Sequence, residues 1–130
     1  MVDIEIIQEW LTKADDDFDF AKVNFEEQRP FYAQICFHFH QSTEKYLKSY
    51  IIANELAFKK SHDLQTLLDI CILKDNSFEE LRDECNFLST FYIETRYPVH
   101  WPTHFSKQET KRCFNAAQRI QSFVRKKFDL

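Results

Sequence analysis

Glycine is missing altogether from the 130 residues. At ordinary usage of about 7%, roughly nine would be present. Tight hairpin turns and phosphate-cradling loops depend on glycine's conformational freedom. Its absence therefore excludes a Rossmann crevice, a P-loop and most β architectures. Long apolar runs are also missing, since none approaches the roughly 20 residues that span a bilayer. The opening Met1-Val2-Asp3-Ile4-Glu5 has neither the basic start nor the apolar stretch of a signal peptide. A cytoplasmic location without membrane contact is expected. The four cysteines, at 36, 71, 85 and 113, form no CxxC pair, and Cys36, Cys71 and Cys113 sit at helical spacing among apolar neighbours, as buried reduced thiols do.

What is present is an apolar and aromatic chain, 44% hydrophobic and 29% charged, of a size to form one domain over residues 1–130 with its own core. Ile4, Ile7, Leu11, Ala14, Phe18, Ala21 and Phe25 recur at alternating steps of three and four, which predicts an amphipathic helix over 3–27. Pro30 ends it. A second helix over 31–54 is apolar on more than one side and so belongs at the centre of a bundle. Polar residues inside it, among them His38, His40, Gln41, Glu44, Lys45 and Lys48, are correspondingly unusual. Ser61 is a candidate cap for a third helix over 62–74. Ser77-Phe78-Glu79-Glu80 and Ser106-Lys107-Gln108-Glu109 have the form of capping boxes, opening helices over 77–95 and 107–128. The expectation is an all-α, up-and-down bundle of about five helices.

Charge is unevenly spread. Residues 1–28 hold nine acids against two lysines, and residues 105–128 hold seven bases against Glu109. A basic last helix attracts phosphate; the plainer reading is a solvated face whose charges pair with the acidic first helix.

Three places have the composition for chemistry. The first is the segment Arg96-Tyr97-Pro98-Val99-His100-Trp101-Pro102-Thr103-His104-Phe105. An arginine, histidines and a following helix N-terminus suit a phosphate, and histidine titrates near neutrality. The plainer alternative is an aromatic-proline loop with Arg96 paired to Glu94. The second is Gln41 to Lys48, where Gln41 with Lys45 and Glu44 with Lys48 stand at i, i+4. Buried charges there require partners, so a structural network competes with ligand binding. The third is His62-Asp63, an acid–base pair in composition but placed where Asp63 would cap a helix. Metal binding is not expected: His38 and His40 point to different sides of a helix, and Pro102 interrupts the spacing of His100 and His104.

Several of these strings together resemble the HEPN domain family, the higher eukaryote and prokaryote nucleotide-binding domain. They are Trp10-Leu11-Thr12-Lys13-Ala14-Asp15-Asp16-Asp17, Ile35 to Lys48 with its Gln41-x-x-Glu44-Lys45-x-Leu47-Lys48 core, Ser61-His62-Asp63-Leu64, and Tyr92 to Pro98. The resemblance implies a homodimeric helical bundle of toxin–antitoxin or defence-type systems. It implies nucleotide or RNA-phosphate binding; taken with the residue reading above, the expected ligand-binding residues are Arg96, Tyr97, Gln41, Lys45 and Lys48, with Glu44 and Asp63 in a structural polar network. It also implies no cofactor and a small nucleotidyltransferase as companion. Many members are metal-independent ribonucleases that use an arginine and a histidine a set distance apart. Here His100 follows Arg96 after three residues and His104 after seven, and neither is the usual gap. Catalysis by Arg96 with His100 or His104 is the alternative reading, and a structural interaction module without a ligand is the second alternative.

Overall fold

A computed structural model of the chain describes residues 2–58, 60–90 and 105–128. Helix α1 spans Ile4–Glu26, α2 Tyr32–Ala53, α3 Leu64–Lys74, α4 Arg82–Thr90 and α5 Lys107–Arg125; a 3₁₀ turn, Asn76–Leu81, leads into α4. Every regular element among the described residues is helical. None of these helices is long and apolar enough to cross a membrane.

The apolar stripe of α1 buries Leu11, Ala14, Phe18 and Ala21. Its first member, Ile4, is exposed. Helix α2 is the central element. It packs against α1, α3, α4 and α5, and it buries polar residues as well as Ile35, Phe39, Tyr46, Leu47 and Ile51. Its interior hydroxyls bond back along the helix: Ser42 and Thr43 donate to the Phe39 carbonyl (2.8 and 3.1 Å), and Ser49 to that of Tyr46 (2.6 Å). Each of these serine and threonine hydroxyls thus finds an acceptor without a partner helix. Phe39 joins α1 to α5, meeting Phe18 edge-on and lying stacked on Phe114, each at 5.6 Å between ring centroids.

Helix ends show how the chain turns without glycine. Gln28 and Glu55 adopt the left-handed conformation, with φ of 58° and 54°. In each case the next residue bonds back into the last turn, Arg29 N–H to the Asn24 carbonyl (3.0 Å) and Leu56 N–H to that of Ile51 (2.9 Å). These are Schellman closures, in which glycine is the usual left-handed residue.

Two predicted caps are corrected. Asp63, not Ser61, caps α3: its carboxylate accepts from Gln65 N–H (3.2 Å) and Thr66 Oγ1 (2.8 Å), while Ser61 Oγ accepts from Asp63 N–H (3.0 Å). Ser77 opens no α-helix. Asp75 accepts from both its N–H (3.0 Å) and its hydroxyl (2.6 Å), and a 3₁₀ turn follows before α4 begins at Arg82. In both places a carboxylate lies close by, and its charge suits a helix N-terminus better than a hydroxyl does. The box at Ser106 forms as predicted, with both reciprocal bonds to Glu109 (3.0 and 3.2 Å).

Candidate functional site

The polar residues of α2 separate into three groups according to the helix they face. The first points to the start of α3. Glu44 Oε2 accepts from Lys48 Nζ (3.1 Å), one turn on, and lies 2.9 Å from His62 Nδ1. His40 Nδ1 stands 3.8 Å from Glu44 Oε1, one turn back. The side chains of Glu44 and Lys48 are each 9% exposed, whereas His62 is 59% exposed and forms the outer end of the cluster. Burial holds His40 neutral by pushing its pKa down to about 4, with the neighbouring His62 adding to the effect and Asp63 opposing it.

The second group faces α1. Lys45 is hydrogen-bonded to Asp17, and His38 Nδ1 lies 3.4 Å from the same carboxylate. Burial alone would raise the Asp17 carboxyl; the bonds from His38 and Lys45 outweigh it and hold the group below its ordinary value. The third group ties α1, α2 and α5 together. Tyr46 donates to Asp15, Gln121 Nε2 donates to the Tyr46 hydroxyl (2.8 Å) and to Asp15 (3.2 Å), and Arg125 pairs with Asp15. Burial, then the bond to Asp15, pushes the Tyr46 hydroxyl far above its usual range, so it stays a donor.

The predicted site residues are therefore divided. Glu44 and Lys48 meet as their spacing requires. Lys45 turns to Asp17 rather than to Gln41. Asp63 caps α3 and does not bond to His62, whose ring goes to Glu44. Arg96, Tyr97, His100 and His104 lie outside the described residues, as do Glu94 and the end of the predicted fourth helix. No group of three or more His, Cys, Asp or Glu side chains converges as metal ligands among the described residues. The contact of His62 with Glu44 carried no local signal, because the two stand 18 positions apart; nor did the contact of Lys45 with Asp17.

The charged ends of the chain are joined at one point of those described, Arg125 with Asp15. Other bases near the C-terminus turn elsewhere. Arg119 binds Glu84 through one nitrogen (2.6 and 2.8 Å), Lys127 binds Asp75 (2.8 Å), and the Arg112 guanidinium lies 4.0 Å over the Phe87 ring.

Residues 7–127, which include all of α2–α5 and most of α1, match the HEPN domain. The chain belongs to the HEPN domain family. Its fold is similar to the crystal structure of TT1696 from Thermus thermophilus, with 26% identity, a TM-score of 0.77, and coverage of 94% of this chain and 98% of that one. It is also similar to ST0689, described as an archaeal HEPN homologue, with 23% identity, a TM-score of 0.75, and coverage of 93% and 96%. No curated protein sequence matches the chain. Within this HEPN domain the described resembling strings fall on α1, on α2 and at the start of α3, where the three polar groups are built.

Proposed function

We propose that this HEPN domain binds nucleotide or RNA phosphate, with Arg96 as the principal phosphate ligand and Lys45 as a second cation. The domain acts as a homodimer beside a small nucleotidyltransferase, in a toxin–antitoxin or defence-type system. Besides family membership, one observation supports this reading: α2 carries charged groups through the middle of the bundle. Desolvating a carboxylate and an ammonium costs several kcal/mol per ion, which an apolar helix would avoid. The inner pair, Glu44 with Lys48, lies within α2 and reaches the start of α3 through His62, and Lys45 stands on the more open side with 31% of its side chain exposed. Arginine suits the role of phosphate ligand because its guanidinium is permanently charged and forks two bonds onto one phosphate.

The test is titration of labelled single-stranded RNA against the intact protein and three variants, in chelator. Arg96→Ala should weaken binding by about tenfold or more, and binding should fall as salt rises. His100→Ala and His104→Ala should leave it nearly unchanged. Unaltered affinity in Arg96→Ala would refute the reading. Chelator-resistant cleavage to cyclic phosphate ends, abolished by either histidine substitution, would replace it with the ribonuclease alternative.

A further inference from the structure

A cleft of about 370 Å³ opens between α1 and α2, lined by Glu9, Trp10 and Lys13 from α1 and Lys45 from α2. That volume is at the lower end of small-molecule sites, roughly 300–1,000 Å³. Trp10 is only half-buried, although tryptophan carries the largest apolar surface of any side chain. It meets Phe58 edge-to-face, with centroids 6.3 Å apart and planes at 65°. Among the described residues no ring lies parallel to it.

The cations of the cleft can turn to a ligand. Lys13 pairs with Glu9 at 3.9 Å, but their side chains are 62% and 69% exposed. A loose surface pair of that kind contributes little, so Lys13 can leave it at small cost. Lys45 is bonded to Asp17, yet an ammonium carries three donors, and Asp17 fixes its position at the cleft wall. Behind the rings, Lys48 Nζ lies 5.9 Å from the Phe58 centroid. The aromatic pair therefore backs onto the Glu44 cluster, and an occupant would rest on the rigid centre of the bundle.

We infer that the Trp10 cleft is a binding site for the ring of a nucleoside phosphate, with Trp10 as the stacking platform and Lys13 and Lys45 donating to the phosphate. Every base offers a π-face, so stacking on an aromatic side chain accepts any of them, and ammonium groups track the backbone. The inference rests on the proposed ligand class and shares Lys45 with the proposed function, but Trp10 and Lys13 are its own and it uses none of the residues of the Arg96 segment. The ligand is either a free mononucleotide or a nucleotide of single-stranded RNA, and both present the same ring and phosphate.

The chain has two tryptophans, so Trp101→Phe leaves Trp10 as sole reporter. The full-length Trp101→Phe protein is titrated with AMP and, separately, with a short adenosine-only RNA, while tryptophan emission is read. Saturable quenching by either probe is expected, weakened about fivefold or more by Lys13→Glu. Quenching by AMP identifies a free nucleotide as sufficient; quenching by the RNA alone identifies a strand. Trp10→Phe in the otherwise unchanged chain should weaken binding of the same probe, as judged by anisotropy. Absence of saturable quenching with both probes would overturn the inference, as would quenching indifferent to Lys13→Glu. The two readings fail separately. RNA binding that needs Arg96 but leaves Trp10 emission unchanged removes the cleft and keeps the Arg96 site. Saturable quenching with an affinity indifferent to Arg96→Ala does the reverse.

Discussion

Glu44 holds two partners through one oxygen, Lys48 at 3.1 Å and His62 at 2.9 Å. Truncating it strands an ammonium that is nine-tenths buried. Glu44→Ala should therefore cost about 3 kcal/mol in urea denaturation, because an uncompensated buried charge costs more than the pair contributed. The double change Glu44→Leu with Lys48→Met removes both charges and should recover most of that loss. If the single variant is as stable as the parent, water reaches the cluster. His40 adds a pH dependence. Its pKa in the folded chain is about 4, below the ordinary histidine value of about 6.5. Between those values the unfolded chain binds more protons, so stability falls as pH drops through 6.5 toward 4 and loses nothing further from this group below that. From pH 7.5 to pH 5 the loss should be roughly 2 kcal/mol. His40→Gln should flatten that interval. Asp17 is also shifted down, below a carboxylate's ordinary value. Its contribution is present at higher pH and is lost only as pH falls through that lower range, so the two windows are separable.

Helix ends divide what the chain's local order dictates from what it does not. The stripe of α1 and the box at Ser106 are legible because each depends on residues within one or two turns. The caps at Asp63 and Asp75 were obscured by serines two positions away, and deciding between them needs the chain's path into the helix. The site was legible to the same extent. Glu44 with Lys48 follows from i, i+4 spacing, whereas Glu44 with His62 and Lys45 with Asp17 depend on how helices lie against each other. The left-handed Gln28 and Glu55 could not be read either, since neither residue type signals that conformation. They are places where a helix ends in a geometry glycine adopts more readily. Gln28→Gly should stabilise the protein by about 1 kcal/mol, measured as an increase in the urea midpoint at unchanged slope. Glycine placed at Ala14, buried in the middle of α1, should destabilise it instead by about 1 kcal/mol or more.

At the scale of the molecule, several apolar side chains are left in water. Phe20 and Val23, one turn apart on α1, are 52% and 50% exposed, and the Phe20 ring lies 4.5 Å from that of His38. The homodimer proposed above would bury such a surface. Light scattering at tens of micromolar should then return twice the 15.8 kDa chain mass, and Phe20→Asp should shift it toward a single chain without loss of helical signal. A lone chain in the unsubstituted protein would contradict the dimer. The cysteines offer a means of watching this bundle open. All four are buried, and they fall one to a helix: Cys36 on α2, Cys71 on α3, Cys85 on α4 and Cys113 on α5. Burial pushes the Cys71 and Cys85 thiols up to about 12, so an alkylating reagent has almost no thiolate to attack until a helix detaches. Pulsed labelling of Cys71 and Cys85 followed by peptide mass analysis thus supplies two clocks, timing the exposure of α3 and of α4, with no label to engineer.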